Sequence, residues 1–101
     1  MTIESFRDSL TQASPPAGLT EALTAMWHAG KKDWDASHDI AQDIPNRTGD
    51  WIHAYLHRWE GDDWNARYWY RRAGKEVPTY DLNKEWEVIV AALLGKTSEV
   101  F

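Results

Sequence analysis

The residues best suited to chemistry in this chain of 101 residues are histidines. His53 and His57 stand four positions apart, a spacing that sets both imidazoles on one face of a helix, and Glu60 extends that face. Two imidazoles so placed can bind zinc or another divalent ion, and His38, from the preceding stretch, offers a third nitrogen for an open site. The pair lacks the Glu that follows the first His in zincins. The same spacing is therefore met by imidazoles that each bond a carboxylate, a Tyr hydroxyl or a backbone carbonyl. Arg58, Trp51 and Trp69 join His53 and His57 as candidate ligand- or partner-binding residues, because planar guanidinium groups and large rigid rings anchor interfaces. No catalytic residue is assigned. The chain has neither a Gly-rich phosphate loop nor a nucleophile elbow, and Ser37 followed by His38 is not a triad without geometry.

Composition narrows the setting for these residues. A mass of 11.7 kDa suits one domain over residues 1–101 with a single core. Seven Trp supply apolar area that a disordered chain could not bury. The formal net charge of -5 argues against nucleic acid, whose affinity comes from Lys and Arg releasing counterions. The absence of Cys excludes disulfides, thiolate metal sites and cysteine nucleophiles, and no cofactor is implied. The N-terminal MTIESFRDSL has neither the basic start nor the apolar core of a secretory signal, and no stretch approaches a membrane span. A cytoplasmic, bacterial-type protein without a membrane partner is the default.

Helices must position the candidate residues, and the periodicity predicts six with no strand. A first helix over 2–13, with Thr2 as its cap, ends at Pro15-Pro16; a second spans Leu19 to Ala29, with Gly30 as a glycine C-cap. Asp33 caps a third helix running to Ile44, and 45–49 form a loop. Asp50 caps a fourth through Glu60; Asp62 or Asp63 caps a fifth that closes on Gly74. The last helix, Asp81 to Leu94, buries Leu82, Trp86, Ile89, Val90, Leu93 and Leu94, turns Lys84, Glu85 and Glu87 outward, and leaves Val100 and Phe101 free to dock.

The chain also repeats itself. Gly30-Lys31-Lys32-Asp33-Trp34-Asp35-Ala36 matches Gly61-Asp62-Asp63-Trp64-Asn65-Ala66 after a one-residue gap, a period of about thirty residues. The second unit resembles the tetratricopeptide repeat: Gly61-Asp62 at the turn, Ala54, Ala66, Tyr70, Ala73 and Pro78 stand at that family's spacings. Where the family places a large apolar residue and an aromatic, this chain has His53 and His57. The run HAYLHRWEGDDWNARYWYRRAG also resembles small bacterial proteins of unknown role. The resemblance implies an all-α fold of two tetratricopeptide-like hairpins, at 19–46 and 50–78, between an N-terminal helix and a capping helix over 81–94. Neighbouring second helices in such a stack would set an acidic stripe, Asp35, Asp39 and Asp43, against a basic one, Arg67, Arg71, Arg72 and Lys75.

Two functions are compatible with these features. The first is a non-enzymatic helical-repeat module binding a protein or peptide partner, or a second copy as a homodimer, with Trp51, Tyr55, Arg58 and Trp59 on its concave side. The alternative is a small-ligand or metal-binding protein, a small hydrolase included, whose pocket is lined by His38, His53, His57, Arg58 and Trp69. An open groove favours the first, and a closed concave pocket where His and Arg converge favours the second.

Overall fold

Thr2 opens the structure with a capping box: its hydroxyl accepts from the Ser5 amide while Ser5 Oγ reaches back to the Thr2 amide. The helix so started, α1, covers Ile3–Asp8 and tightens into a 3-10 turn at Ser9–Thr11. Five more helices follow: α2 (Glu21–Gly30), α3 (Trp34–Ala41), α4 (Arg47–Trp59), α5 (Asp63–Ala73) and α6 (Leu82–Ser98). The computed structural model describes the backbone of residues 1–98 and the side chains of residues 1–95, so the docking expected of Val100 and Phe101 lies outside the described residues. Among the described residues the fold is all-α, as the periodicity predicts, and none of the helices is long and apolar enough to cross a membrane.

Helices α2 and α3 form one antiparallel hairpin and α4 and α5 a second, with α6 packed on α2 and α4 and α1 packed on α6. The core lies where α2, α4 and α6 meet: Phe6, Met26, Trp27, Ile52, Leu56, Ile89 and Val90 are buried there. Trp86 contributes its ring to this core and donates from its indole nitrogen to the Met26 carbonyl at 2.9 Å. Between α4 and α5, Ala54, Ala66 and Tyr70 form a second buried cluster, where small side chains let the two backbones approach.

The two hairpins share one turn geometry, but not in the register that the Gly30 and Gly61 match implies. Gly30 is still helical, and the left-handed position after α2 belongs to Lys32, with φ 65°. Gly61, with φ 87°, holds the same place after α4. In both turns the next residue is the N-cap Asp, and its amide bonds back to a histidine carbonyl: Asp33 to His28 at 2.9 Å, Asp62 to His57 at 3.0 Å. Lys32 therefore corresponds to Gly61, Ala25 to Ala54 and Ser37 to Ala66. The glycine at position 30 has a different purpose: a Cβ there would lie 2.9 Å from Leu10 and 3.1 Å from Trp86.

Other boundaries also move. Helix α3 stops at Ala41 rather than Ile44, since the residue before Pro45 is disfavoured in the α region. Asn46, not Asp50, caps α4, accepting from the Thr48 and Gly49 amides at 3.0 and 3.2 Å. Gly49 is thus inside the helix, where a Cβ would come within 2.3 Å of the Ile44 carbonyl oxygen. At the far end α6 runs through Gly95 to Ser98.

The largest correction concerns Glu85, expected on the solvent face and found completely buried. Its carboxylate accepts from Arg58 Nη1 at 2.8 Å and from the Tyr70 hydroxyl at 2.7 and 2.5 Å, joining α4, α5 and α6. Burial and that carboxylate together drive the Tyr70 hydroxyl pKa far upward, so Tyr70 remains a proton donor. The acidic and basic stripes do not pair among the described residues. Asp39 and Asp43 line a groove with Leu19 and Thr24 of the first hairpin, and the carboxylate beside Arg72 is Asp50.

Candidate functional site

Three helices build the site. Helix α3 carries Trp34 and His38, α4 carries Asp50, His53 and His57, and α5 carries Trp69 and Arg72. Trp34 locks the first to the second: its indole nitrogen donates to the Leu56 carbonyl at 2.8 Å, and its ring stacks on His38 with centroids 4.7 Å apart. His38 is thereby fixed across the seam between the hairpins, with its Nε2 3.0 Å from Nε2 of His53. His57, one turn along α4, is stacked on His53 at 4.8 Å. One ring nitrogen from each of His38, His53 and His57 lies within 4.8 Å of the other two.

Packing around the histidines restricts their rings. His53 lies between His57 and Trp69, the latter stacked at 3.9 Å with planes 18° apart. Arg72 adds its guanidinium 4.9 Å from the centre of the Trp69 ring. His57, buried, holds Nδ1 3.4 Å from Glu60 Oε1, a contact that orients its imidazole. Burial, and then the neighbouring His38, His57 and Arg72, hold His53 down to about 4 from its ordinary 6.5. It is a neutral imidazole at neutral pH, the form in which a ring nitrogen has a lone pair to give.

The cluster adjoins a surface groove of about 540 Å³, in the range of small-molecule sites. His53 and Trp69 belong to its wall together with Asn46, Arg47, Asp50 and Arg72. Arg72 Nε stands 3.8 Å from Asp50 Oδ2, a loose contact that leaves its guanidinium half exposed. Arg47 lies over Gly74, with Nη1 3.2 Å from where a Cβ would be, and has no ion-pair partner among the described residues.

The structure thus brings His38, His53, His57 and Trp69 together and sets the other two candidates elsewhere. Arg58 points away into the Glu85 carboxylate and also donates to the Tyr80 carbonyl, so it ties α4 to α6. Trp51 is half-buried beneath Lys75, whose ammonium lies 4.3 Å from its ring centre. Tyr55 is buried, its hydroxyl pushed up to about 12 by burial and by Glu85, and Trp59 packs against the core. Sequence reasoning missed Arg72, Arg47 and Asp50 as members of the site. The i, i+3 spacing of Trp69 and Arg72 on α5 was the available signal, since it sets the guanidinium beside the ring that covers His53.

No protein-family model matches this chain, and no curated protein or solved structure matches it.

Proposed function

We propose that this protein binds a divalent transition-metal ion through His38, His53 and His57 and uses the adjoining groove to hold a small ligand. The convergence of three imidazoles from two helices is the observation that carries this reading. A tetrahedral zinc ion with bonds of about 2.0–2.1 Å needs ligand nitrogens about 3.3 Å apart. The 3.0 Å separation of His38 and His53 is already close to that, and the other nitrogen separations, within 4.8 Å, must shorten by up to about 1.5 Å when the ion binds. Three protein ligands leave one coordination position open, the arrangement of a site that acts on something rather than one that only staples a fold. All-nitrogen donors suit zinc, copper, nickel or cobalt better than magnesium or calcium. The proposed setting is the cytoplasm.

Native mass spectrometry of protein purified without chelators tests it. One metal ion per chain, lost on His53→Ala with the fold intact by circular dichroism, is the expected result. Metal-free protein that takes up no Zn2+ or Co2+ on titration would overturn it.

A second reading, the tetratricopeptide-like interaction module, draws support from α5. Trp64 and Tyr68, one turn apart, are 73% and 41% exposed. Large aromatics on one helix face are the usual anchors of a partner surface, protein, peptide or a second copy. The same spectra separate this reading, because a homodimer that Trp64→Ser dissociates belongs to it alone. The surface assigned to it from sequence is less open, since α6 ties down Arg58 and the core takes Tyr55.

A further inference from the structure

We infer that the ligand held beside the histidine centre is an organic oxyanion, a carboxylate or a phosphate ester, gripped by Arg47 and Arg72 in the groove that His53 shares with the cluster. The inference rests on the metal reading for its partner charge, but the groove's own chemistry points the same way.

Charge is the first argument. The chain as a whole carries -5, yet this groove holds two guanidinium groups against one carboxylate, Asp50. That is a local reversal of sign, and a bound divalent cation would deepen it. Acidic ligands are drawn to such a concavity, while cationic ones are repelled.

Geometry is the second. Neither Arg is committed to a close ion pair, since Arg47 has no acidic partner among the described residues and Arg72 meets Asp50 only at 3.8 Å. By contrast, Arg58 shows what a committed guanidinium looks like in this protein, at 2.8 Å from a buried carboxylate. A planar guanidinium without a bidentate acidic partner matches the paired oxygens of a carboxylate or phosphate. Arg72 is also held in place, by its position 4.9 Å from the Trp69 ring and by the hydrogen bond its Nη1 donates to the Tyr68 hydroxyl at 3.3 Å. Arg47 is placed by Asn46, which caps α4 immediately before it, and by the open space over Gly74.

Size is the third. A bare phosphate or acetate would leave most of about 540 Å³ unfilled, so the oxyanion is one end of a larger molecule. Asp50, Gln42 and the Asn46 amide offer further polar contacts in the groove.

Calorimetric titration of the metal-free and Co2+-loaded protein with succinate and with glycerol phosphate tests the inference and separates the two oxyanions. At least one probe binds, at least fivefold tighter to the loaded form. Its affinity falls at least tenfold in Arg47→Met/Arg72→Met, while Arg72→Lys recovers part of that loss. Met keeps an aliphatic stem beside Trp69, and an unchanged circular dichroism spectrum and Co2+ affinity show that the fold and the centre survive. An affinity that ignores the two arginines, or no binding of either probe to either form, would overturn the inference and leave the metal reading intact. Should Co2+ fail to bind while the metal-free protein still takes the anion in an arginine-dependent way, the metal reading falls and the oxyanion groove stands.

Discussion

Ser37 puts a hydroxyl where the second hairpin has the methyl group of Ala66, and it is completely buried with no hydrogen-bond partner for Oγ among the described residues. A buried donor left unpaired costs about 1–3 kcal/mol. Ser37→Ala is therefore expected to stabilise the fold by about 1 kcal/mol, read as a higher urea midpoint at unchanged slope. A midpoint that stays or falls would show that the hydroxyl has a partner in solution. His53 sets the other expectation at this scale. Its folded-state pKa of about 4 lies below the 6.5 of an unfolded chain, so between those values the unfolded state takes up a proton that the folded state excludes. The metal-free protein should keep its full stability above pH 6.5 and lose it progressively as the pH falls toward 4. Comparing melting temperatures at several pH values with those of His53→Gln isolates the effect: the wild-type curve should be the steeper, and parallel curves would refute the assignment. His53 was conspicuous in the sequence because its spacing to His57 needs only a helix. Arg47 was not, because its place against Gly74 depends on how α4 crosses α5, which no local pattern records.

At the level of elements, the clamp of Arg58, Tyr70 and Glu85 holds three helices at one point. The sequence placed Glu85 outside because charge is the strongest surface signal, and nothing local reveals that two donors wait for it. Gly30 and Gly61 misled in a related way. They look equivalent, yet one is a close-packed helical residue and the other a left-handed turn, a role that Lys32 fills in the first hairpin. By contrast, Ala54, Ala66 and Tyr70 were legible from spacing alone, since their contact follows from two helices meeting at small residues. Removing one side of a buried ion pair costs about 3–5 kcal/mol, because the remaining charge is left without its partner. Glu85→Ala should thus be among the most damaging single substitutions in the chain. Arg58→Met/Glu85→Leu should cost well under the sum of its two single changes. A double-mutant cycle by chemical denaturation measures this, and strict additivity would mean that the 2.8 Å contact contributes no coupling.

For the whole molecule, the seam between the hairpins is where structure and function meet. Each hairpin is knit by its own two helices more extensively than α3 is to α4, so the seam is the thinner joint. His38 crosses it from one side, and His53 and His57 from the other. A metal bound by all three bridges the hairpins and stabilises only the assembled fold. An ion present at a hundred times its dissociation constant adds about 2.7 kcal/mol. In a chain of this length each kcal/mol moves the melting temperature by roughly 4–8 °C, so excess Zn2+ should raise it by roughly 10–20 °C relative to chelated protein. The bridge also predicts where that gain disappears. His38→Ala keeps the two α4 ligands but removes the only one across the seam, so scanning calorimetry should show most of the increment lost while the metal-free melting temperature stays nearly unchanged. An equal gain in that variant would place the ion on α4 alone and break the link between metal binding and the joining of the hairpins.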